Sequence, residues 1–293
     1  MTRISAPGKV ILLGEHFSVY GGEALSCAVN LRLFLKIKKR KEKKFLIKAF
    51  PKEPIIKAIN LIEKKLSLKK SGWEIEIVSQ IPQKKGFGSS GALCASLVYG
   101  IVKENKINLS KRKIALLAWE AENIFHGKSS GLDPFCAVYG GVISYKKGKA
   151  KKISLKKFPT IYVFDTKKES LTKKIVKEVR TVKKNFPLIF KEILKTGKIL
   201  VEKGKEFLEK GDFEKFGKIM EINQGLLYSI GVSSKEIEKI LWEEKENFLG
   251  MKLSGAGKGG IVLGLSFKKP KTKRKPDFVL KVDFDGVKIE KEI

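Results

Sequence analysis

The sequence predicts an α+β protein in two halves, because two kinds of apolar periodicity are distributed unevenly along the chain. In the first half, segments in which every second residue is apolar alternate with apolar stripes of helical spacing. In the second half, four long helical patterns follow one another before strand patterns return. The chain has 293 residues, of which 42% are hydrophobic, so it can bury a substantial core. We therefore expect two units, residues 1–155 and 156–293.

The first half mixes short strands with helices. The alternating apolar pattern predicts strands over 10–13, 31–37, 73–77 and 142–145. An apolar stripe predicts a helix over 54–66, and a second helix is expected to begin after Ser110, whose hydroxyl can cap the first turn. The pair Gly140-Gly141 breaks the chain before the strand at 142–145. This half is therefore expected to be a sheet with helices packed on it.

The second half is dominated by helices. After a strand at 162–164, helical patterns are found over 171–184, 187–209, 212–230 and 234–248. Strands are then predicted over 251–254, 260–266, 278–284 and 287–290. Pro270 and Pro276 bracket a lysine-rich stretch between two of these strands. Because proline disfavours a continuous helix, we expect a loop there.

The charge of the chain is strongly positive, with 62 lysine and arginine residues against 31 acidic ones, a net charge of +31. Such an excess is compatible with a nucleic-acid-binding surface. The lysine clusters are dispersed, however, arginine is scarce, and no nucleic-acid motif accompanies them. We therefore interpret the lysines as solvated surface residues, which also protect strand edges from pairing with other chains, and we expect no nucleic-acid partner.

Cysteine usage and hydropathy indicate a soluble, cytoplasmic protein without a membrane partner. No apolar run approaches the ~18 residues that suggest a membrane span, and the N-terminus makes a poor signal peptide. The cysteines, Cys27, Cys94 and Cys136, are far apart and have small or apolar neighbours. They are predicted to be reduced core residues and not disulfide or zinc ligands.

The most informative segment is P-Q-K-K-G-F-G-S-S-G-A at 82–92, which we call the phosphate loop. Its glycines let the backbone reach positive φ and let N–H groups approach a ligand closely. A helix that begins near Ser90 would point its free N–H groups and the positive end of its dipole into this loop. The loop lacks the spacing of a Walker loop or of a dinucleotide-binding turn. It is therefore predicted to bind phosphate in another way.

Two further glycine-bearing segments adjoin strands. The first motif is A-P-G-K-V-I-L-L-G-E-H at 6–16, and the third motif is K-L-S-G-A-G-K-G-G at 252–260. Taken in order, these two segments and the phosphate loop between them resemble the three motifs of the GHMP kinases. The first motif, together with H-G-K-S-S-G-L-D at 126–133, is most similar to family members that phosphorylate mevalonate. The resemblance implies an N-terminal half like the second domain of ribosomal protein S5, a ferredoxin-like C-terminal half, and an active site between them.

The resemblance also implies an activity. It indicates ATP-dependent phosphorylation of mevalonate to 5-phosphomevalonate, a reaction of isoprenoid biosynthesis, with Mg²⁺ as cofactor and ATP and mevalonate as small-molecule substrates. A homodimer is one assembly to be considered. Phosphomevalonate, galactose and homoserine are alternative substrates within the family. From another class, a basic RNA-binding protein remains as an alternative, because the S5-type domain also occurs there and the net charge is extreme.

Phosphoryl transfer requires phosphate positioning, a metal ion, and a group that orients the acceptor hydroxyl. The glycine loops offer candidate nucleotide contacts, which are Gly86, Gly88, Ser89, Ser90, Gly91, Ala92, Gly255 and Gly257. A serine hydroxyl and a carboxylate form a normal hard-oxygen Mg²⁺ site, and the resemblance places Ser90 and Glu122 at the metal-ligand positions of the family. The alternative for Glu122 is a surface acid that balances Lys113 or Lys128.

Asp133 and Lys9 are the candidate catalytic pair. In the segment S-G-L-D-P, Asp133 suits a turn or a helix cap, but it also suits a carboxylate that orients the acceptor hydroxyl. The resemblance places it at the catalytic aspartate of the family. Lys9, which ends the A-P-G-K turn before a strand, would hold that carboxylate ionised and stabilise charge on the transferred phosphoryl group.

The candidate substrate residues are Glu15 and His16 in the first motif and Thr172 after the strand at 162–164. The chain has only two histidines, which excludes a multi-histidine metal site. The second histidine, His126, is interpreted as a residue that orders its loop. Lys84 and Lys258 occupy positions that are often glycine in the family, and their roles are left open.

Overall fold

The computed structural model describes residues 1–49, 51–83 and 85–291. Lys84 lies outside the described residues. Two mixed layers are observed, as predicted, and each consists of a β-sheet with helices packed against it. The predicted α+β fold with two halves is therefore confirmed.

The first sheet belongs mainly to the N-terminal half. Its strands are β1 (Thr2–Leu13), β2 (Ala24–Arg40), β3 (Leu46–Lys48), β4 (Gly72–Ser79), β5 (Val142–Lys146), β6 (Lys149–Lys152) and β11 (Lys288–Ile289). The order is β11-β1-β2-β4-β3, with β5 paired to β2 and β6 paired to β5. All pairs are antiparallel except β3 with β4. The helices of this half are α1 (Lys52–Lys65), α2 (Ser89–Glu104), α3 (Lys111–His126) and α4 (Leu132–Tyr139).

The second sheet has the order β10-β7-β9-β8 and is antiparallel throughout. Its strands are β7 (Thr160–Asp165), β8 (Gly250–Ser254), β9 (Ile261–Ser266) and β10 (Phe278–Leu280). The accompanying helices are α5 (Thr172–Asn185), α6 (Pro187–Lys210), α7 (Phe213–Ser229) and α8 (Lys235–Glu244). One core cluster contains buried residues from both halves, among them Val10 on β1 and Val163 on β7, so the two sheets are joined by shared packing.

The predicted helices and strands are found, but β1 and β2 are much longer than the predicted strands at 10–13 and 31–37, and β3, β6 and α4 were not predicted. Ser110 caps α3 by accepting the N–H of Lys113, as expected. The segment between Pro270 and Pro276 contains no helix, also as expected. The predicted strand at 278–284 ends at Leu280, and the strand at 287–290 is reduced to β11.

The last strand returns to the first sheet. Strand β11 pairs with β1, where Ile4 is opposite Ile289. Just before it, an isolated bridge joins Val29 to Val282. The end of the chain is therefore paired with the N-terminal half, although we keep 1–155 and 156–293 as the proposed units.

The cysteines are free and buried. Burial raises the pKa of all three thiols, that of Cys136 to about 12, so they are unreactive core residues, as the sequence predicts. No helix in the described residues is long and apolar enough to cross a membrane.

Helix α7 crosses β8 with the two backbones in direct contact. A Cβ atom added at Gly217 would overlap the carbonyl oxygen of Leu249, and one added at Gly250 would overlap the carbonyl oxygen of Gly217. This contact requires glycine at both positions, because any side chain would separate the helix from the strand. It also positions β8, the strand that leads into the third motif.

We predict that Gly217→Ala destabilises the protein by roughly 1–3 kcal/mol, the usual cost of overpacking a core. Gly225→Ala, on the same helix, is the matched control, because a Cβ atom there would meet no described atom within 4 Å. This second change should stabilise the protein by up to about 1 kcal/mol, since alanine favours helix over glycine. Denaturant unfolding of both variants measures the difference. Equal effects of the two changes would contradict the prediction.

Candidate active site

Strand β1 lies directly against the phosphate loop. The backbone N–H of Lys9 donates to the carbonyl oxygen of Phe87 at 2.8 Å, and Lys9 Nζ donates to the carbonyl oxygen of Gly86 at 2.9 Å. A Cβ atom at Gly8 would lie 2.9 Å from the same Phe87 oxygen. The A-P-G-K segment lies within β1, at a bulge between Pro7 and Gly8, and not in a loop before the strand as the sequence predicts. Its glycine lets the strand approach the phosphate loop.

The phosphate loop ends at the N-terminus of α2. Gly88 is the N-cap residue of α2 and has a left-handed φ of 73°. A Cβ atom at Gly88 would lie 2.9 Å from Lys9 Cγ and 3.2 Å from Asp133 Oδ2, and one at Gly91 would lie 2.6 Å from the backbone of Asp133. Ser89 and Ser90 form the first turn of the helix, and Ala92 is buried behind them. Free N–H groups at this end suit an anion.

Lys9 and Asp133 form an ion pair beside the phosphate loop, with Nζ 3.3 Å from Oδ1. The Lys9 side chain is 6% exposed and the Asp133 side chain is 27% exposed. The lysine is thus almost enclosed, while the carboxylate stays open to an incoming molecule. Asp133 lies in the first turn of α4, where no side-chain cap is formed among the described residues. The structure therefore gives it the lysine partner and not a capping bond.

Glu122 is buried beside this pair. Its carboxylate accepts hydrogen bonds from Ser90 Oγ at 2.9 Å and from Ser129 Oγ. Ser90 Oγ also lies 2.8 Å from His126 Nε2. Burial, and then the negative charge of Asp133, raise the pKa of Glu122 to about 7. With only 2% of its surface exposed, Glu122 is not the surface acid that the sequence left as an alternative.

The residues around Glu122 fit a magnesium ion bound together with phosphate. In the described part of the chain, no group of three or more histidine, cysteine or acidic side chains could hold a metal by itself. Mg²⁺ is commonly bound by one or two carboxylates, with water and substrate phosphates completing its shell. Glu122 and Ser90 supply such a partial oxygen set next to the α2 N-terminus. A cation there would also offset the cost of a buried carboxylate.

The third motif is tied to the first motif by side chains. Ser254 Oγ accepts the backbone N–H of Ile11 at 2.9 Å, and His16 Nε2 lies 2.8 Å from the carbonyl oxygen of Ala256. Glu15 forms a buried ion pair with Lys252, which is fully enclosed. Motifs more than 200 residues apart in sequence are therefore held together.

The glycines of the third motif have different surroundings. A Cβ atom at Gly257 would overlap the carbonyl oxygen of Val232, whereas one at Gly255 would meet no described atom within 4 Å. Gly255 follows Ser254, whose carbonyl oxygen would lie 3.9 Å from a Cβ atom at Gly86. The third motif therefore borders the phosphate loop with an open stretch of backbone.

The three candidate substrate residues differ in exposure: Glu15 and His16 are buried, whereas Thr172 is exposed. Glu15 is enclosed and engaged by Lys252. His16 is also buried, and burial lowers its pKa, which favours the neutral imidazole. Thr172 is the exposed first residue of α5, and the turn before it is tied to the third motif by Ser170 Oγ, which donates to the carbonyl oxygen of Gly257 at 2.6 Å.

Lys258 is engaged away from the phosphate loop. Its ammonium group pairs with Glu178 on α5, and its backbone has a left-handed φ of 52°. In this arrangement Lys258 fixes α5 against the third motif.

Sequence reasoning missed three residues at this site. Ser129 holds Glu122, Lys252 holds Glu15, and Lys85 in the phosphate loop pairs with Asp165 at the end of β7. Ser129 and Lys252 stand inside the quoted motifs, so their position was the available signal. Lys85 also stands inside the quoted phosphate loop, but the neighbouring Lys84 offered an equal candidate.

The sequence is similar to a known protein family and to individual known proteins. The family model described as "GHMP kinases N terminal domain" matches residues 53–141, and "GHMP kinases C terminal" matches residues 205–281. The chain is 33% identical to a mevalonate kinase of Pyrococcus furiosus, covering 90% of this chain and 89% of the relative. It is 31% identical to a mevalonate kinase of Archaeoglobus fulgidus, covering 98% of this chain and 99% of the relative.

The fold is also similar to solved structures. A mevalonate kinase of L. major in complex with R-mevalonate superimposes with a TM-score of 0.80 and 29% identity, covering 92% of this chain and 88% of that one. The mevalonate kinase of Methanococcus jannaschii gives a TM-score of 0.77 and 27% identity, with 90% of each chain covered. The three glycine loops, the fold and these relatives lead to one conclusion: the chain belongs to the GHMP kinase family.

Proposed function

We propose that this protein is a mevalonate kinase, which transfers the γ-phosphoryl group of ATP to the terminal hydroxyl of mevalonate with Mg²⁺ as cofactor. The observation that carries the proposal is the Lys9–Asp133 pair, which lies at the N-terminus of α2 beside the buried Glu122. The archaeal relatives named mevalonate kinase support this choice of acceptor. We place the reaction in the cytoplasm, as the hydropathy of the sequence predicts.

The proposed roles follow from the geometry. Backbone N–H groups of the phosphate loop, from Gly86 to Gly91, bind the phosphates of ATP at the helix N-terminus. Ala92 takes no direct part, because its N–H donates to the carbonyl oxygen of Gly88 at 3.1 Å. Asp133 accepts a hydrogen bond from the acceptor hydroxyl and orients it toward the phosphoryl group. Lys9 balances the charge of that carboxylate and stabilises the charge on the phosphoryl oxygens. Gly255 and Gly257 of the third motif border the nucleotide on the side opposite the N-terminus of α2.

Ser90 and Glu122 would hold the magnesium ion. When bound, the ion neutralises charge on the β- and γ-phosphates. Ser129 keeps the Glu122 carboxylate oriented, and His126 does the same for the Ser90 hydroxyl. The chain thus presents its oxygen ligands in fixed positions before the nucleotide arrives.

Mevalonate is proposed to bind between the first motif and α5. His16 and Thr172 are the side chains that we assign to its contacts. Glu15 is assigned an indirect part, because its carboxylate already pairs with Lys252. A homodimer is the assembly to be tested alongside, by light scattering on the same preparation.

A substrate screen tests the reaction. Mg-ATP-dependent ADP release is measured with mevalonate, phosphomevalonate, galactose and homoserine, each at the same concentration. We expect turnover of mevalonate and at most traces with the others. Turnover of another acceptor without mevalonate would reassign the protein within its family. No kinase activity, together with salt-sensitive binding of bulk RNA, would favour the RNA-binding alternative.

We predict that Asp133→Asn lowers kcat by at least ~10²-fold, the low end of what a positioned acid–base group contributes. The affinity for ATP should change little, because this side chain faces the acceptor and not the nucleotide. The matched control is Asp212→Asn, which alters the N-cap of α7, where Asp212 pairs with Lys215. Near-normal kcat in folded Asp133→Asn protein would remove Asp133 from the reaction.

Glu122→Gln is expected to raise the Mg²⁺ concentration needed for half-maximal activity by about tenfold or more, because it removes a charged ligand. Ser90→Ala should have the same effect more mildly. Glu120→Gln is the control on the same helix, since Glu120 points outward and pairs with Lys65. Magnesium titrations that coincide for wild type and both site variants would mean that Ser90 and Glu122 are structural only.

A further inference from the structure

Lys85 joins the two halves of the molecule at the mouth of the cleft. Its Nζ lies 2.9 Å from Oδ2 of Asp165, the last residue of β7. The Lys85 side chain is 32% exposed and the Asp165 side chain 9%. The ion pair therefore connects a flexible, partly exposed lysine side chain of the phosphate loop to a nearly enclosed carboxylate of the other half.

The pair lies where the glycine loops meet. The carbonyl oxygen of Gly86, the next residue, accepts a hydrogen bond from Lys9 Nζ. Asp165 is opposite Ile261, directly after the third motif, and the N–H of the following Thr166 donates to the carbonyl oxygen of Gly260 at 2.9 Å. Lys85 is thus one residue from the proposed phosphate contacts, and its partner adjoins the other nucleotide-facing loop.

Asp165 has other partners, so it can release Lys85. Its Oδ1 accepts the backbone N–H of Lys167 at 2.8 Å, and Lys167 Nζ lies 3.8 Å from its Oδ2. If Lys85 leaves, the carboxylate keeps the hydrogen bond from the Lys167 N–H, and the Lys167 ammonium group stays nearby although its closer partner is Asp277. The loop itself stays in place through the edge-to-face contact of Phe87 with Phe278, whose ring centroids are 5.4 Å apart.

We propose that Lys85 binds the phosphates of ATP and that it pairs with Asp165 only while no nucleotide is bound. Without nucleotide, the ammonium group pairs with Asp165; when ATP enters the phosphate loop, the group moves to its phosphates. The lysine stem is flexible and its charge is compact, so a single side chain can serve both anions in turn. This inference rests on the proposed function, because it requires that the phosphate loop binds ATP.

Competition between two anions for one cation has a specific signature. Removing the cation must weaken ATP binding, whereas removing the competing carboxylate must strengthen it. An ion pair that merely held the two halves together would behave differently, because loss of either partner would then weaken binding alike. Opposite signs for the two variants therefore separate the proposal from a structural role.

The experiment measures the Kd of ATP by calorimetry in the presence of Mg²⁺. Lys85→Met should raise Kd about tenfold, the usual effect of losing a charged hydrogen bond. Asp165→Asn, which keeps an acceptor for the Lys167 N–H, should lower Kd about threefold. Lys85→Arg keeps the charge and should stay near wild type. Lys167→Met is the control for loss of a lysine near Asp165, because its ammonium group stands outside the phosphate loop and pairs mainly with Asp277.

Adenosine serves as a second probe. Since it carries no phosphate, neither Lys85→Met nor Asp165→Asn should change its affinity, and thermal unfolding of each variant verifies the fold. Weaker ATP binding in both variants, or no change in either, would overturn the role of Lys85 while leaving the proposed function intact. Wild-type protein that binds no ATP would overturn both.

Discussion

The arrangement of the cleft depends on one buried ammonium group. Lys9 Nζ lies 2.9 Å from the carbonyl oxygen of Gly86 and 3.3 Å from Oδ1 of Asp133, so three segments distant in sequence meet at one atom. Enclosing a lysine is costly unless partners replace its water. The carbonyl group and the carboxylate are those partners. The ammonium group of Lys9 therefore holds the phosphate loop and α4 in position against β1.

The same principle separates the two carboxylates of the cleft. Asp133 is partly exposed and has a cation beside it. Glu122 is enclosed, is held by serine hydroxyls, and has a pKa raised to about 7, first by burial and then by Asp133. Pairs of acids with different environments take different roles in an active site. Here the exposed, paired carboxylate suits an acceptor hydroxyl, and the enclosed one suits a metal ion.

Much of this architecture could be predicted from periodicity and turn chemistry. The serine cap of α3 and the helix-free segment between Pro270 and Pro276 follow from local rules. Strand β11 could not be assigned to the first sheet, because two paired residues carry too little pattern to identify a partner strand. Its position depends on long-range pairing with β1, which no local signal encodes.

Glycines and lysines carried different amounts of information about the candidate site. Glycines were informative because each close approach in the cleft excludes a side chain, as at Gly88 and Gly91. Lysines were informative only through their motif, because the chain contains many cations. Lys9 was identified by the segment A-P-G-K, whereas Lys252, which is fully enclosed and pairs with Glu15, was overlooked although it lies in the third motif between Met251 and Leu253.

The exposed lysines of the surface and the few enclosed lysines therefore have different roles. Most lysine pairs on helices, such as Lys203 with Glu206, are exposed, and such pairs contribute little to stability. Their collective field still attracts anionic substrates toward the molecule. Lys252 with Glu15 is enclosed on both sides, and Lys9 is nearly enclosed although its partner Asp133 is partly exposed, so water competes little for these ammonium groups. A kinase that needs both fast encounter and a rigid phosphate site gains the first from its surface and the second from these few enclosed groups.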